Sequence, residues 1–310
     1  MPRPLLPGSL RTLSTRWVPT HWVAAFALLV GLIAAPGAQA QIFSGSLSLG
    51  SQADVEAFAD SAYTEVTGSL TIEGADITDV SGLSTLTTVG GSLRVINNPV
   101  LSTLDGLDNL TSVASFVDIS VNASLQNIQG LQSLTTIGSI LQIEDHPVLT
   151  SLSGLENLTS IGGFLDLVRN DALTDLRGLE GLTSLPDAFF VISHANLQTL
   201  EGLQNLTSVD GRVQIQGNGS LERLRGLGNL SSIGGRLDIN SNGALTTLDD
   251  LEEILNGAPG SIGADGGTHL RVISNGVLAD CDLLYPFVTN PNPPGSISVS
   301  GNASGCAGPG

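Results

Sequence analysis

Three kinds of residue in this chain have the chemistry for catalysis or metal binding. His146 and His194 stand 48 residues apart, and imidazole is the side chain best suited to ligate a metal or move a proton near neutral pH. Asp118 and Asp166 are separated by the same 48 residues, and a pair of carboxylates is the equipment of glycoside hydrolysis. Cys281 and Cys306 are the two cysteines of the chain. "GADGGTH", residues 263 to 269, is similar to a fragment of a calcium-binding repeat, but it occurs once. Which of these groups can meet depends on the backbone that carries them.

That backbone repeats. "LDGLDNLTSV" at 104 returns as "LSGLENLTSI" at 152, "LEGLQNLTSV" at 200 and "LRGLGNLSSI" at 224. Units begin at Val80, Leu104, Ile128, Leu152, Leu176, Leu200, Leu224 and Leu248, every 24 residues without insertion, and a fixed period of this size marks a solenoid. In the fourth unit the apolar columns are Leu152, Leu155, Leu158, Ile161, Leu165, Leu167 and Leu173. Leu165 and Leu167 alternate with outward neighbours, as in a strand buried on one face. "SGLENLTSIGG" carries too much glycine, over too short an apolar run, to hold a helix. Each unit therefore reads as two or three short strands joined by tight turns. The expected fold is mainly β: a single-stranded, right-handed parallel β-helix, a leucine-rich-repeat-like solenoid of 24-residue coils. Glycine at the third position of each unit, from Gly82 to Gly226, is expected to supply a backbone conformation that other residues resist.

A solenoid needs closed ends. "SQADVEAFADSA", from Ser51, predicts an N-terminal capping helix with Ser51 as N-cap and Val55, Phe58 and Ala62 on its buried face. After Leu251 and Ile254 the register fades, and strands are expected at "LRVIS" and "SISVSG". The division is then a signal peptide over 1–40, an N-terminal cap and first coil over 41–79, the repeat solenoid over 80–255 and a C-terminal cap over 256–310.

This frame decides the chemistry. Residues 48 apart lie two coils apart, roughly 9 to 10 Å at ordinary strand spacing. That is too far for His146 and His194 to share a metal ion. The two belong to a column of Asn98, Asn122, His146, Asn170, His194, Asn218 and Asn242, expected to point inward and satisfy turn N–H and C=O groups. Asp118 and Asp166 sit at a spacing marginally compatible with inverting hydrolysis, but Gln142 lies between them, and no lysine exists to act as a base. No GxSxG element, Walker loop or HExxH is present. No catalytic residue, metal site or cofactor is expected. Cys281 and Cys306, 25 residues apart and thus about one coil, are expected to form a disulfide. Asn109, Asn157 and Asn205 fit the glycosylation sequon in "NLT", but their fixed repeat position points to turn formation.

Outward positions on the main strand vary from coil to coil. One column reads Ser92, Phe116, Ile140, Phe164, Ala188, Arg212, Arg236; a second reads Arg94, Asp118, Gln142, Asp166, Phe190, Gln214, Asp238; a third includes Ile96, Val168 and Ile192. Phe116, Ile140, Phe164, Val168, Phe190 and Ile192 are the candidate binding residues, because a contiguous exposed apolar patch marks a partner site. The structural alternative is that the first column turns inward or lies under a crossing loop.

The first forty residues carry Arg3, Arg11 and Arg16, an apolar run from Trp22 to Ala35 and then "APGAQA", the pattern of a secretory signal cleaved after Ala40. The run is shorter than the roughly 20 residues that span a bilayer, so no membrane span is expected in the mature chain. Of 11 basic residues, all arginine, these three leave on cleavage, so 8 face 29 acids at a formal charge of −21. Such a surface repels nucleic acid and anionic membranes. A lysine-free acidic surface fits either a salt-rich habitat or a codon bias toward arginine.

Residues 63 to 107, "YTEVTGSLTIEGADITDVSGLSTLTTVGGSLRVINNPVLSTLDGL", resemble the receptor L domain, the leucine-rich right-handed β-helix of insulin and epidermal-growth-factor receptors. Similar repeats occur in fungal cell-wall and bacterial exported proteins. The likeness rests on "GSLTIEG" and "GSLRVINN" for the strand, "VSGLSTLTTVGG" for the turn segment and "SQADVEAF" for the entry helix, and spans about residues 44 to 255. Ordinary leucine-rich repeats share the core seen in "LRVINN", but here four residues rather than three separate Val89 from Leu93. The resemblance implies extracellular binding. The chain shows no cysteine-rich module, and no receptor's contact residues carry over. The expected function is that of an acidic, exported, non-enzymatic recognition protein of the cell surface or envelope, secreted or periplasmic, with an extracellular protein or glycan as partner. A passive structural role in the envelope is the alternative, and a polysaccharide-degrading β-helix enzyme a more distant one.

Overall fold

The structure, a computed structural model, describes residues 41–255, 262–263, 268–284 and 296–306. The expected signal peptide and residues 264–267 of "GADGGTH" lie outside the described residues. The chain from residue 41 winds into a right-handed parallel β-solenoid of about 10 turns. One side is an 11-stranded parallel sheet running from Leu47–Leu49 through Leu70–Ile72, Leu93–Ile96, Val117–Ser120, Leu141–Glu144, Leu165–Val168, Phe189–Ile192, Val213–Gln216 and Leu237–Asn240 to Thr268–Ile273 and Ser296–Ser300. A second side is formed by shorter strands in sheets of six and three, such as Ser112–Val113 and Ser208–Val209. The third side holds turns and short 3-10 segments, as at Gln129–Leu131. Each coil up to Leu237–Asn240 thus has two strands.

The constant repeat length explains the pairing. Leu141 stands opposite Val117 on one neighbour and Leu165 on the other, and Ile143 opposite Ile119 and Leu167. A one-residue slip would turn both leucine columns out to water, so the inward alternation fixes the register. Leu104, Ile128 and Leu152 are all fully buried in one continuous apolar cluster. Removing such a leucine to alanine costs about 2–5 kcal/mol through lost transfer energy and the cavity left behind.

Two backbone devices make the corners. Gly202, at the third position of its unit, has φ +119°, and a Cβ there would meet the Leu176 carbonyl oxygen at 1.9 Å. At Gly130 the reason differs from the one expected: its φ is not left-handed, but a Cβ would lie 1.8 Å from the Leu104 carbonyl oxygen. The second corner, just after the main strand, is left-handed from Asn97 onward: Asn97, Val121, Asp145, Arg169, Ser193, Ser241 and Ser274 have φ between 52° and 62°, and Gly217 and Gly301 have φ 71° and 67°.

The next residue at that corner forms the ladder. Asn98, Asn122, His146, Asn170, His194, Asn218 and Asn242 are all fully buried, and Asn275 continues the column. Each asparagine Oδ1 can accept the backbone N–H of the ladder residue one coil earlier, as Asn122 does from Asn98 at 3.0 Å and Asn242 from Asn218 at 3.1 Å. The amide nitrogen donates into the strand behind, from Asn170 to the Ile143 carbonyl at 2.8 Å and from Asn218 to that of Val191 at 3.0 Å. Backbone groups that the turn strips from the sheet are thereby paired without water.

At the N-terminal end, helix α1 (Gln52–Ser61) starts where Ser51 accepts the Asp54 N–H, and it buries Val55 and Phe58. Ala62 is not on the buried face: it is the C-cap, at φ 47°, and exposed. At the other end the sheet does not stop at residue 255. Leu237 pairs with Leu270 and Val272 with Val299, and Asn302 accepts the Asn275 N–H at 2.9 Å. The longer intervals of 33 and 27 residues hide this continuation from a 24-residue alignment. Cys281 and Cys306 are disulfide-bonded, with Cα atoms 5.2 Å apart.

Candidate ligand-binding face

The outer face of the main sheet is where the repeat leaves residue identity free. The Leu93 N–H donates to the Phe116 carbonyl, that of Val117 to Ile140, Leu141 to Phe164, Leu165 to Ala188 and Phe189 to Arg212. These bonds place Phe116, Ile140 and Phe164 side by side on successive strands, as the alignment predicts. All three are half-buried, as are Phe190 and Ile192. The first column therefore does not turn into the core. Val168 is 8% exposed, nearly covered between Glu144 and Ile192 on the flanking strands, and adds little surface. Where small Ala188 interrupts the column, the Phe164 ring meets Phe190 edge-on at 5.9 Å, and the Arg212 guanidinium lies 5.1 Å from the centre of the Phe190 ring. Edge-to-face rings and a stacked guanidinium are both favourable arrangements of the aromatic quadrupole.

The charged groups on this face fall into two sets. Toward the N-terminal side, Arg94 pairs with Asp118 at 3.4 Å, and Ser120 donates to Asp118. Arg169 bridges Glu144 and Asp145. The Asp145 carboxyl is held below its ordinary range by the hydrogen bond from Arg169, and the Arg169 guanidinium is shifted up in return. Asp166 makes no side-chain hydrogen bond or ion pair among the described residues; burial, with Glu144 nearby, raises its pKa. Toward the C-terminal side the face turns basic: Arg236 and Arg271 both pair with Asp238, and Arg212 stands over Phe190. The alignment misses that group, because Arg271 enters the sheet only through the 33-residue interval.

The remaining candidates are taken up by structure. His146 is held between Asn170 Oδ1, 3.0 Å from Nδ1, and Asn122 Nδ2, 3.3 Å from Nε2. His194 Nδ1 lies 3.0 Å from the Ile192 carbonyl, and its Nε2 is buried without a partner. A carbonyl needs a donor, so the neutral tautomer with the proton on Nδ1 is assigned to His194. Burial pushes both imidazoles down to about 4. Among the described residues no group of three or more His, Cys, Asp or Glu side chains is placed to hold a metal ion. The sequon asparagines are exposed, yet Nδ2 of Asn109, Asn157 and Asn205 donates to Ser84, Gln132 and Glu180 carbonyls one coil back, at 2.7 to 2.8 Å. Any glycan on these nitrogens would have to displace a coil-to-coil bond.

Acids off the sheet face also have structural work. Glu156, Glu180 and Asp108 accept the N–H of the glycines Gly154, Gly178 and Gly106 at 2.7 to 2.8 Å. A shallow cleft of about 350 Å³ on the turn side is lined by Arg177, Glu201, Arg225 and neighbours. Arg225 and Arg177 both pair with Glu201 and hold its carboxyl below the ordinary range. Among the described residues no helix is long and apolar enough to cross a membrane.

No family model matches the chain, and no curated protein matches it significantly. The repeat motifs alone carry the receptor L domain resemblance.

Proposed function

We propose that the protein is an exported, non-enzymatic recognition protein of the receptor L domain type, which presents the outer face of its main sheet to a protein or glycan partner at the cell surface or envelope. The observation that carries this reading is the half-buried apolar column Phe116, Ile140 and Phe164 on the outer face, merging into the Phe190–Arg212 stack. The core dictates none of these residues: the same strand position holds Ser92, Ala188 and Arg236 in other coils. Contiguous apolar surface flanked by charged groups is the pattern of a partner site.

The test is capture from extracellular extract, run beside a glycan array, with wild-type protein and Phe164→Asp. A saturable partner retained by the wild type and lost by a variant with unchanged melting supports the proposal. Equal retention by both rejects this face. Catalysis finds less support, because Arg94 and Ser120 already engage Asp118, leaving Asp166 without the second free carboxylate that hydrolysis requires. Hydrolysis of a polysaccharide lost in Asp166→Asn would reverse this reading.

A further inference from the structure

The basic end of the same face contains polar atoms that the fold leaves unsatisfied. Asp238 lies on the outward side of its strand, yet its side chain is only 3% exposed. Oδ2 takes an ion pair from Arg271 Nη1 at 3.2 Å and a looser one from Arg236 Nη2 at 3.6 Å. Oδ1 has no hydrogen-bond partner, and neither has Nε of Arg236 nor Nδ1 of His269; all three atoms are buried. Register places them together: Leu237 pairs with Leu270 and Asp238 with Arg271, so Arg236 and His269 are neighbours at the preceding position. Buried polar atoms left unpaired cost stability, and three on two adjacent strands form a cluster whose partners the chain does not supply. Arg236 and Arg271 side chains are 21% and 39% exposed, so a ligand reaches the cluster by displacing these flexible side chains.

The charge and the hydrogen-bonding character of this cluster select the ligand. Two guanidiniums, of Arg236 and Arg271, face the one carboxylate of Asp238, and Arg212, beside Arg236 in the register, adds a third positive charge. In a chain of formal charge −18 this is a marked local reversal, and it attracts anions. A simple anion, or the carboxylate of an acidic peptide, offers acceptors only and would face Asp238 Oδ1 with like charge. An amine offers donors only and leaves Arg236 Nε unpaired. A hydroxyl beside a carboxylate supplies both: the carboxylate takes the Arg236 Nε–H and the hydroxyl donates to Asp238 Oδ1. Sugar acids have this arrangement, and next to the cluster Arg212 and Phe190 offer a stacking surface for the neighbouring sugar.

Resting on the binding-face reading above, we propose that Arg236, Asp238, His269 and Arg271 form a subsite for a uronic-acid unit, and that the partner of this protein is an acidic polysaccharide whose chain continues over Arg212, Phe190 and Phe164.

Calorimetric titration of the purified exported protein with oligogalacturonate, a neutral cello-oligosaccharide of equal length and polyglutamate of matched charge tests this. Oligogalacturonate is expected to bind at least ~10-fold tighter than either control, the scale of one lost charge-assisted hydrogen bond, and to weaken as salt rises. Arg236→Gln and Arg212→Gln are each expected to lower that affinity ~10-fold; Arg212 makes no ion pair among the described residues, so its variant keeps the test valid if Arg236→Gln unfolds. Equal binding of polyglutamate or of the neutral oligomer overturns the uronic-acid assignment, as does indifference to both arginine variants. If some other ligand is still lost in Phe164→Asp, the subsite fails and the binding face stands. If Phe164→Asp changes nothing either, both fail.

Discussion

His194 and Val121 occupy positions where another residue would suit the backbone better. His194 sits in the asparagine ladder with an unpaired, buried Nε2, so His194→Asn is expected to hold or raise the melting temperature, whereas His194→Ala loses the bond to Ile192 and the ring's packing, at about 2 kcal/mol. Urea unfolding separates the two, and equal losses would remove the ladder role. Both imidazoles also set an acid limit. Their folded pKa of about 4 lies below the ordinary 6.5, so the unfolded chain binds protons first. The stability held above pH 6.5 is lost as pH falls toward 4, by about 3 kcal/mol for each imidazole at the lower end. The double variant His146→Asn, His194→Asn is expected to flatten stability over that window, as denaturation at several pH values would reveal. Val121 adopts φ 57° while 47% exposed, a strained choice for a β-branched side chain. Val121→Gly relieves it and is expected to stabilise by about 1 kcal/mol in the same assay, with no packing lost.

At the level of elements, what a column does decides how readable it is. The inward leucines were legible because apolar burial tolerates few substitutes, and the Asn98 to Asn242 column because only a side chain that both donates and accepts satisfies that corner. The left-handed corner just before it was not: Asn, Val, Asp, Arg and Ser all stand there, because the coil stack imposes the conformation whatever the local preference. Two or three strands were expected per unit, and the lower number is found: turns and 3-10 segments make the third side, since Leu155 and Leu158 bury themselves at a spacing of three without a ladder. On the candidate face, the Phe116–Ile140–Phe164 row followed from the period, while the near-burial of Val168 and the Arg236–Asp238–Arg271 group depended on neighbouring strands. The disulfide belongs to this scale too. It links residues 25 apart, a loop whose closure is worth about 3 kcal/mol on the chain-entropy estimate. Reduction is expected to open the end beyond residue 255 to protease while the coils before it resist; an unchanged cleavage pattern would deny the bridge a stabilising part.

In the molecule as a whole, stacking absorbs most of the sequence. Leucines, turn glycines, ladder asparagines and several of the acids serve the coil, which leaves the outward columns of one sheet as the surface where composition varies from unit to unit. That variation runs in a direction: aromatic and aliphatic across the middle strands, basic toward the C-terminal end, and set within an acidic protein. The outer side of the shorter sheets offers a control, because Thr111, Thr135 and Thr159 there each donate their hydroxyl to the carbonyl of the coil before. The most direct measurement is therefore a two-sided charge scan: aspartate placed singly at Phe116, Ile140 and Phe164, and singly at Thr111, Thr135 and Thr159, with melting temperature and ligand retention read for all six variants. Ligand loss confined to the phenylalanine–isoleucine side, with melting alike on both sides, is the predicted result. Retention of every ligand by all three of those variants would contradict it.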